Sequence, residues 1–186
     1  GYFQQTAHNG LRCSTAKGFL KPVRNRANLI VETNAQTTRV LFEGKRAVGV
    51  EYQQGGKLCQ AMAKAEVILA SGAIGSPQIL QNSGVGSAKL LQNLGIPVVH
   101  NLLGVGENLQ DHLQVRLVLK TRERTLNDEV NNPINKLWIG MQYLFARTGP
   151  LTLAASQVTI FTRSSPAAER PDIQFHMQPL SADKPG

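Results

Sequence analysis

The clearest candidates for acid–base chemistry in this 186-residue sequence are Asp111 and His112, a carboxylate followed directly by an imidazole. Such a pair could accept a proton and pass it on. Adjacent side chains on an extended chain point to opposite sides, however, so a structural role is favoured over catalysis. The remaining histidines are isolated and match no metal-ligand spacing, so we predict no metal site at His8, His100 or His176.

The most informative stretch is the glycine-containing segment 72–76 (GAIGS), which follows the apolar run 65–70 (AEVILA). The apolar run predicts a strand buried on both faces. Ser76 predicts a helix N-cap, with Pro77 at the first helical position. A strand that ends in a glycine turn before a helix presents free backbone N–H groups and the positive end of the helix dipole. The segment therefore suits the anionic or electron-accepting edge of a cofactor, and a tight structural turn stays open as the alternative.

The other motifs with possible chemistry give weaker signals. Gly104 and Gly106 could begin a dinucleotide fingerprint, but Leu109 stands where its third glycine should be. Cys13 and Cys59 are far apart and match no redox or metal spacing. We interpret them as free thiols in a reducing compartment, or one of them as core filling.

Alternating and apolar runs predict the elements that position these motifs. A small antiparallel sheet feeds into the buried strand at 65–70, which favours an α/β nucleotide-binding domain with a meander insertion. A boundary is predicted near residue 113, and an α+β part follows it. Strands are predicted at 28–33, 38–43, 47–52, 58–63, 65–70, 115–121, 157–162 and 172–177, helices at 76–83, 88–94 and 134–147, and a loop at 103–112.

Composition and charge limit the classes of protein. The net charge of +8 raises nucleic acid as a partner. The basic residues are scattered singly, however, and few aromatic residues are available for stacking, so we predict no nucleic-acid partner. No apolar run approaches the roughly 18 residues of a membrane span, and no signal-peptide pattern is present. The sequence lacks an initiator Met and stops without a closing element, so we interpret it as an internal piece of a longer protein.

A family resemblance rests on residues 72–86 (GAIGSPQILQNSGVG). They match throughout the second sequence signature of the glucose-methanol-choline (GMC) flavoprotein oxidoreductases, a pattern of about fifteen positions with many of them fixed. The chain also resembles this family at 26–33, the strand before its adenine-contacting segment, and at 104–112, its loop leading into the substrate domain. Residues 157–161 and 171–180 are similar to bacterial choline-dehydrogenase-like alcohol dehydrogenases, somewhat closer to the long-chain alcohol branch.

The resemblance implies FAD as the cofactor and a fold in two parts. Residues 1–112 would be the middle of a doubly wound FAD-binding domain with a β-meander. Residues 113–186 would begin an antiparallel-sheet substrate domain. By position, the resemblance implies cofactor contacts at Thr37 (through its backbone), Ala70, Ser71, Gly72, Ala73, Pro77, Asn108, Leu109, Asp111 and His112.

The implied reaction is oxidation of a primary alcohol, choline-like or aliphatic, to an aldehyde by hydride transfer to FAD. The family's glycine-rich start and its C-terminal catalytic histidine are both absent, so no catalytic residue is predicted and the chain alone is expected to be inactive. A cytoplasmic location is predicted, with peripheral membrane association left open and the electron acceptor unassigned. The alternatives are a non-redox member of the scaffold, of the hydroxynitrile-lyase type, and a basic nucleic-acid-binding module.

Overall fold

The computed structural model describes residues 1–2, 4–154 and 156–179. It divides into two compact units. One consists of residues 1–29 with the described residues from 115 onward, and the other of residues 30–114. All the residues predicted to contact the cofactor lie in the second unit.

Both units consist of short strands and short helices. The strands are β1 (Ala7–His8), β2 (Leu11–Arg12), β3 (Gln36–Glu43), β4 (Arg46–Gln54), β5 (Lys57–Met62), β6 (Val85–Gly86), β7 (His100–Asn101), β8 (Val158–Thr162) and β9 (Ile173–Met177). The α-helices are α1 (Lys21–Val23), α2 (Gly72–Asn82), α3 (Ala88–Asn93), α4 (Leu126–Asn131) and α5 (Pro133–Met141), with π-helical turns at Ala16–Leu20 and Gln142–Ala146 and a 3₁₀ turn at Pro150–Thr152.

The second unit is built on the antiparallel meander β3-β4-β5. Its two tight turns contain Gly44 at φ +60° and the pair Gly55 and Gly56 at +56° and +76°, a backbone region that favours glycine. The predicted strands at 38–43, 47–52 and 58–63 and their antiparallel sheet are therefore confirmed within two residues. Gly49 on β4 faces β5 so closely that an added Cβ would lie 2.5 Å from the carbonyl oxygen of Ala61. The meander thus packs two backbones together where β4 has no side chain.

Two short helices complete the second unit. Helix α2 ends at Ser83 and Gly84, and α3 ends before Gly95, as the sequence predicts. Strand β6 lies between α2 and α3 along the chain, and strand β7 follows α3. The two strands pair in parallel. The Gly84 carbonyl accepts the N–H of Val99 at 2.8 Å. This interaction brings the chain after α3 back beside the end of α2.

Three predicted strands are wrong: residues 28–33, 65–70 and 115–121 form no regular strand. Their compositions favour β structure, but no neighbouring strand among the described residues pairs with them. Without a ladder to accept its backbone groups, an apolar run stays extended and exposed. Ile68 is 77% exposed, so the burial predicted for residues 65–70 is also absent here, and Leu119 in the run 115–121 is 82% exposed.

The predicted start of α2 is also wrong, because the helix begins at Gly72 and not after Ser76. Gly72 has φ +79°, which lets the chain turn into the helix five residues earlier. The Ser76 hydroxyl accepts the N–H of Ser71 at 3.0 Å instead of capping a helix of its own. Pro77 consequently lies inside α2.

The first unit contains the hairpin β1-β2 and the antiparallel pair β8-β9. Gly1 lies beside β8, where its carbonyl accepts the N–H of Thr159 at 2.9 Å. Helix α4 begins with a capping box between Thr125 and Asp128. The predicted strands at 157–162 and 172–177 and the helical segment at 134–147 are confirmed within one or two residues.

Candidate cofactor site

The N-terminus of α2 is an open backbone surface. Residues 70–73 are exposed, and an added Cβ on Gly72 would meet no atom within 4 Å. The first N–H groups of a helix have no intrahelical acceptor, and the Ser71 side chain does not cap them. The first turn carries no acidic residue. These features fit the approach of an anionic or electron-accepting part of FAD, because the partial positive charge of the helix end is left uncompensated.

Pro77 affects the N-terminal end of α2 through the helix backbone. It is half-buried in α2. Since proline has no N–H, it cannot donate to the carbonyl of Ala73, four residues earlier. That carbonyl therefore lacks its helical partner at the exposed end of α2.

Thr37 lies on β3, the edge strand of the meander, where it pairs with Tyr52. A register shift follows it between Thr37 and Arg39, so the strand bulges at this point. Bulges leave backbone groups outside the regular ladder and are frequent beside functional sites. The contact of the Thr37 backbone with the cofactor stays a prediction.

Charges on the meander are paired beside that bulge. Glu51 is 6% exposed and receives two hydrogen bonds from the Arg39 guanidinium, at 3.0 and 2.9 Å. The Thr38 hydroxyl also lies 3.0 Å from the Glu51 carboxylate. The hydrogen bonds from Arg39 are the main cause that holds the pKa of Glu51 below its usual value. The pair therefore fixes the register of β3 against β4 through a charged carboxylate.

The loop 108–112 forms the third part of the site. Asn108 adopts φ +59°, a left-handed conformation that asparagine tolerates better than most residues. Leu109 and Asp111 are exposed. The Asp111 carboxylate accepts the backbone N–H of His112 at 2.7 Å. The structure thus gives Asp111 a local backbone partner, and the role of the pair stays a prediction.

Helix α2 joins these three parts. The Ser83 hydroxyl accepts the N–H of Val40 on β3 at 2.7 Å and donates to the carbonyl of Ile79. The side-chain amide of Gln81 donates to the carbonyl of Val105 at 3.1 Å. No hydrogen bond within the described residues links the helix N-terminus, Thr37 and the loop directly. They are held in one unit through the C-terminal half of α2.

Sequence reasoning missed Ser83 and Gln81 as the connectors of this site. Both lie within the stretch 72–86 that carries the resemblance, but their side-chain partners are 43 and 24 residues away along the chain. A polar residue on the inner face of a predicted helix was the available signal. Among the residues that the structure describes, no group of His, Cys, Asp and Glu could hold a metal ion.

The fold is that of an α/β unit with an antiparallel meander. The sequence profile of the GMC oxidoreductase family matches residues 1–114. The chain belongs to the GMC oxidoreductase family. The predicted family, the predicted fold class and FAD as the cofactor of that class are therefore confirmed.

Similar proteins agree with this membership. The chain is 46% identical to the mitochondrial choline dehydrogenase of Mus musculus over 96% of its length, which is 30% of that protein. It is 46% identical to an oxygen-dependent choline dehydrogenase of Chromohalobacter salexigens over 92% of its length, 31% of that protein. The chain thus spans about 30% of the length of these curated relatives.

Solved structures give the same fold. An FAD-dependent oxidoreductase from Chaetomium thermophilum superposes with a TM-score of 0.71 at 28% identity, covering 82% of this chain and 28% of that one. A fungal aryl-alcohol oxidase gives 0.69 at 29% identity, covering 84% and 28%.

Proposed function

We propose that this chain is the central portion of an FAD-dependent alcohol dehydrogenase that oxidises a primary alcohol, choline-like or aliphatic, to an aldehyde. Residues 1–112 would supply the middle of the FAD-binding domain, and residues 113–186 the beginning of the substrate domain. The curated relatives are named choline dehydrogenases, which supports an alcohol as the substrate, with its CH–OH group as the hydride donor. Within the described residues no helix is long and apolar enough to cross a membrane.

One observation carries the proposal. The family signature at 72–86 forms a helix whose exposed N-terminus has neither a side-chain cap nor an acidic residue in its first turn. A helix end left in this state costs stability unless water or a ligand satisfies its N–H groups. An electron-rich edge of a bound flavin cofactor would satisfy them and would be stabilised by the helix dipole.

The chain's own residues bind and orient in this function. The backbone N–H groups of Gly72 and Ala73 would hold the cofactor edge, and the bulged backbone at Thr37 would meet its adenine part. The loop from Asn108 to His112 would border the flavin. When bound, FAD supplies the hydride acceptor. We assign the removal of the hydroxyl proton to no histidine of this chain.

The proposal is tested with Gly72→Ala in the whole protein. A matched control is Gly95→Ala, because Gly95 also has a positive φ, +70°, and open space around its Cβ position. Both variants carry the same type of backbone strain. Only the methyl group at Gly72 stands where the cofactor would approach.

We expect Gly72→Ala to weaken FAD binding about tenfold or more, corresponding to roughly 1.4 kcal/mol. Gly95→Ala should bind FAD as the unmodified protein does. The measurement is flavin fluorescence during titration, with alcohol-dependent dye reduction as the activity readout. Equal FAD affinities for the two variants would contradict the placement of the cofactor at α2. If the unmodified protein binds FAD but reduces no dye with any alcohol, the result would favour the alternative of a non-redox member of the scaffold.

A further inference from the structure

We propose that Gln81 is a positioning residue for the cofactor site, setting the place of the loop 108–112 by anchoring the chain just before it to helix α2. This inference rests on the proposed function for its consequence on FAD. The anchoring itself is a property of the unit formed by residues 30–114 and can be measured without the cofactor.

The anchor is a hydrogen bond between partly buried groups. The side-chain amide of Gln81 donates to the carbonyl of Val105 at 3.1 Å. Val105 is only 9% exposed, so water has little access to compete for its carbonyl. A hydrogen bond of this kind is costly to leave unmade, because the buried acceptor then has no partner.

Two glycines leave the space that the Gln81 side chain occupies. A Cβ on Gly106 would lie 2.6 Å from the Gln81 amide nitrogen, and a Cβ on Gly86 would lie 3.2 Å from its Cγ. Gly106 also has φ +84°, which turns the chain immediately after the anchored carbonyl. A larger residue in place of either glycine would displace the Gln81 side chain. Gly104 and Gly106 do not form a dinucleotide fingerprint, but the contact with Gln81 explains why position 106 is a glycine.

The loop has few other attachments. Leu102 donates its N–H to the carbonyl of Gly86 at 2.9 Å, and the remaining backbone hydrogen bonds of residues 102–107 lie inside the loop. Among the described residues, Gln81 is the one side chain from outside residues 102–112 that hydrogen-bonds to them. It therefore holds the loop three residues before Asn108, where the backbone takes its left-handed conformation.

Gln81 also lies on the helix whose other end carries the open N-terminus. Helix α2 runs from Gly72 to Asn82. A rigid helix fixes the distance between its two ends. A single side chain therefore links the position of the proposed flavin-bordering loop to the position of the helix end proposed to hold the cofactor.

The experiment compares three variants of the whole protein: Gln81→Leu, Gln81→Glu and the control Gln78→Leu. Gln78 lies on the same helix and is exposed. Gln78→Leu is therefore the same substitution in α2 but leaves the hydrogen bond to the chain before the loop intact. The readouts are hydrogen exchange of the amides of Leu102, Val105 and Glu107 before FAD is added, the dissociation constant for FAD, and the visible spectrum of the bound flavin.

We expect Gln81→Leu to speed exchange of the hydrogen-bonded amides of Leu102, Val105 and Glu107 about tenfold, which corresponds to the loss of one net hydrogen bond. Exchange in the meander should stay unchanged. FAD binding should weaken by a similar factor and the flavin spectrum should shift. Gln78→Leu should leave all three readouts as they are.

Gln81→Glu separates positioning from a general loss of structure. Its ionised carboxylate cannot donate to the Val105 carbonyl, whereas the protonated acid can. The defect of Gln81→Glu should therefore diminish as the pH falls through the pKa of that carboxyl, and the defect of Gln81→Leu should not. If Gln81→Leu fails to fold, this pH-dependent rescue carries the test alone.

Loop exchange that is unchanged in Gln81→Leu, or changed equally in Gln78→Leu, would overturn the inference. So would a Gln81→Glu defect with no dependence on pH. If the unmodified protein binds no FAD, the proposed function fails, while the exchange measurement still decides whether Gln81 anchors the loop. Altered loop exchange with unaltered FAD binding and spectrum would overturn the role of Gln81 in the cofactor site.

Discussion

Replacement of Ser83 by alanine tests how the meander is attached to helix α2. The Ser83 hydroxyl is the acceptor for the N–H of Val40, at 2.7 Å. Val40 is 5% exposed and lies on β3, an edge strand of the meander. Ser83 therefore satisfies a donor on the outer edge of the sheet, where no further strand among the described residues is available.

The expected cost follows from which partners remain. In Ser83→Ala the Val40 N–H is left buried without an acceptor, which costs about 1–3 kcal/mol. The Ile79 carbonyl loses the Ser83 hydroxyl but keeps the backbone N–H of Ser83 at 3.0 Å, so its loss is smaller. The total corresponds to a roughly 5- to 150-fold lower ratio of folded to unfolded protein.

The assay is urea unfolding together with hydrogen exchange of the Val40 amide. Ser87→Ala is the matched control, because the Ser87 side chain makes no capping hydrogen bond to α3 and its loss should cost less than about 0.5 kcal/mol. Faster exchange at Val40 should appear in Ser83→Ala only. Equal stabilities and equal Val40 exchange in the two variants would refute the reasoning.

Three further changes test the charges and the packing of the fold. Because the pKa of Glu51 is lowered in the folded protein, its stabilisation is present above the unfolded-state pKa and is lost as the pH falls through the folded-state pKa. Glu51→Gln should therefore make the loss of stability at acid pH less steep when urea unfolding is measured across pH. An equally steep loss would contradict this. Gly49→Ala should destabilise by about 1–3 kcal/mol, because its Cβ would lie 2.5 Å from a backbone oxygen that cannot easily move. Gly140 lies inside α5, and no atom lies within 4 Å of the Cβ that alanine would add. Gly140→Ala should therefore stabilise the protein by about 0.5–1 kcal/mol. Thermal melts check both glycine variants, and a Tm that shifts in the same direction for Gly49→Ala and Gly140→Ala would contradict this account of the packing.

Local signals were sufficient for the meander and for the C-terminal ends of α2 and α3. Gly44 and the pair at 55–56 require positive φ, and alternating runs on either side of them leave little choice but hairpins. The strand predicted at 65–70 failed for a non-local reason. Strand formation needs a neighbouring strand, and its composition alone does not provide one among the described residues.

The local backbone of the candidate site was predicted in part for similar reasons, whereas its contacts with a cofactor stay a prediction. The backbone around Gly72 could be recognised from a glycine turn before a helix, although the helix starts earlier because Gly72 itself adopts φ +79°. The roles of Ser83 and Gln81 depend on partners far along the chain, at Val40 and Val105. No local periodicity encodes such pairs, so they emerge only when the elements are packed.

The most direct test of the central claim is the visible absorbance of the purified whole protein, recorded without oxygen before and after a primary alcohol is added. We predict a flavin spectrum that bleaches when choline or an aliphatic primary alcohol is added, with formation of the corresponding aldehyde. A protein that carries no flavin after supplementation with FAD, or whose flavin stays oxidised with every alcohol tried, would contradict the account.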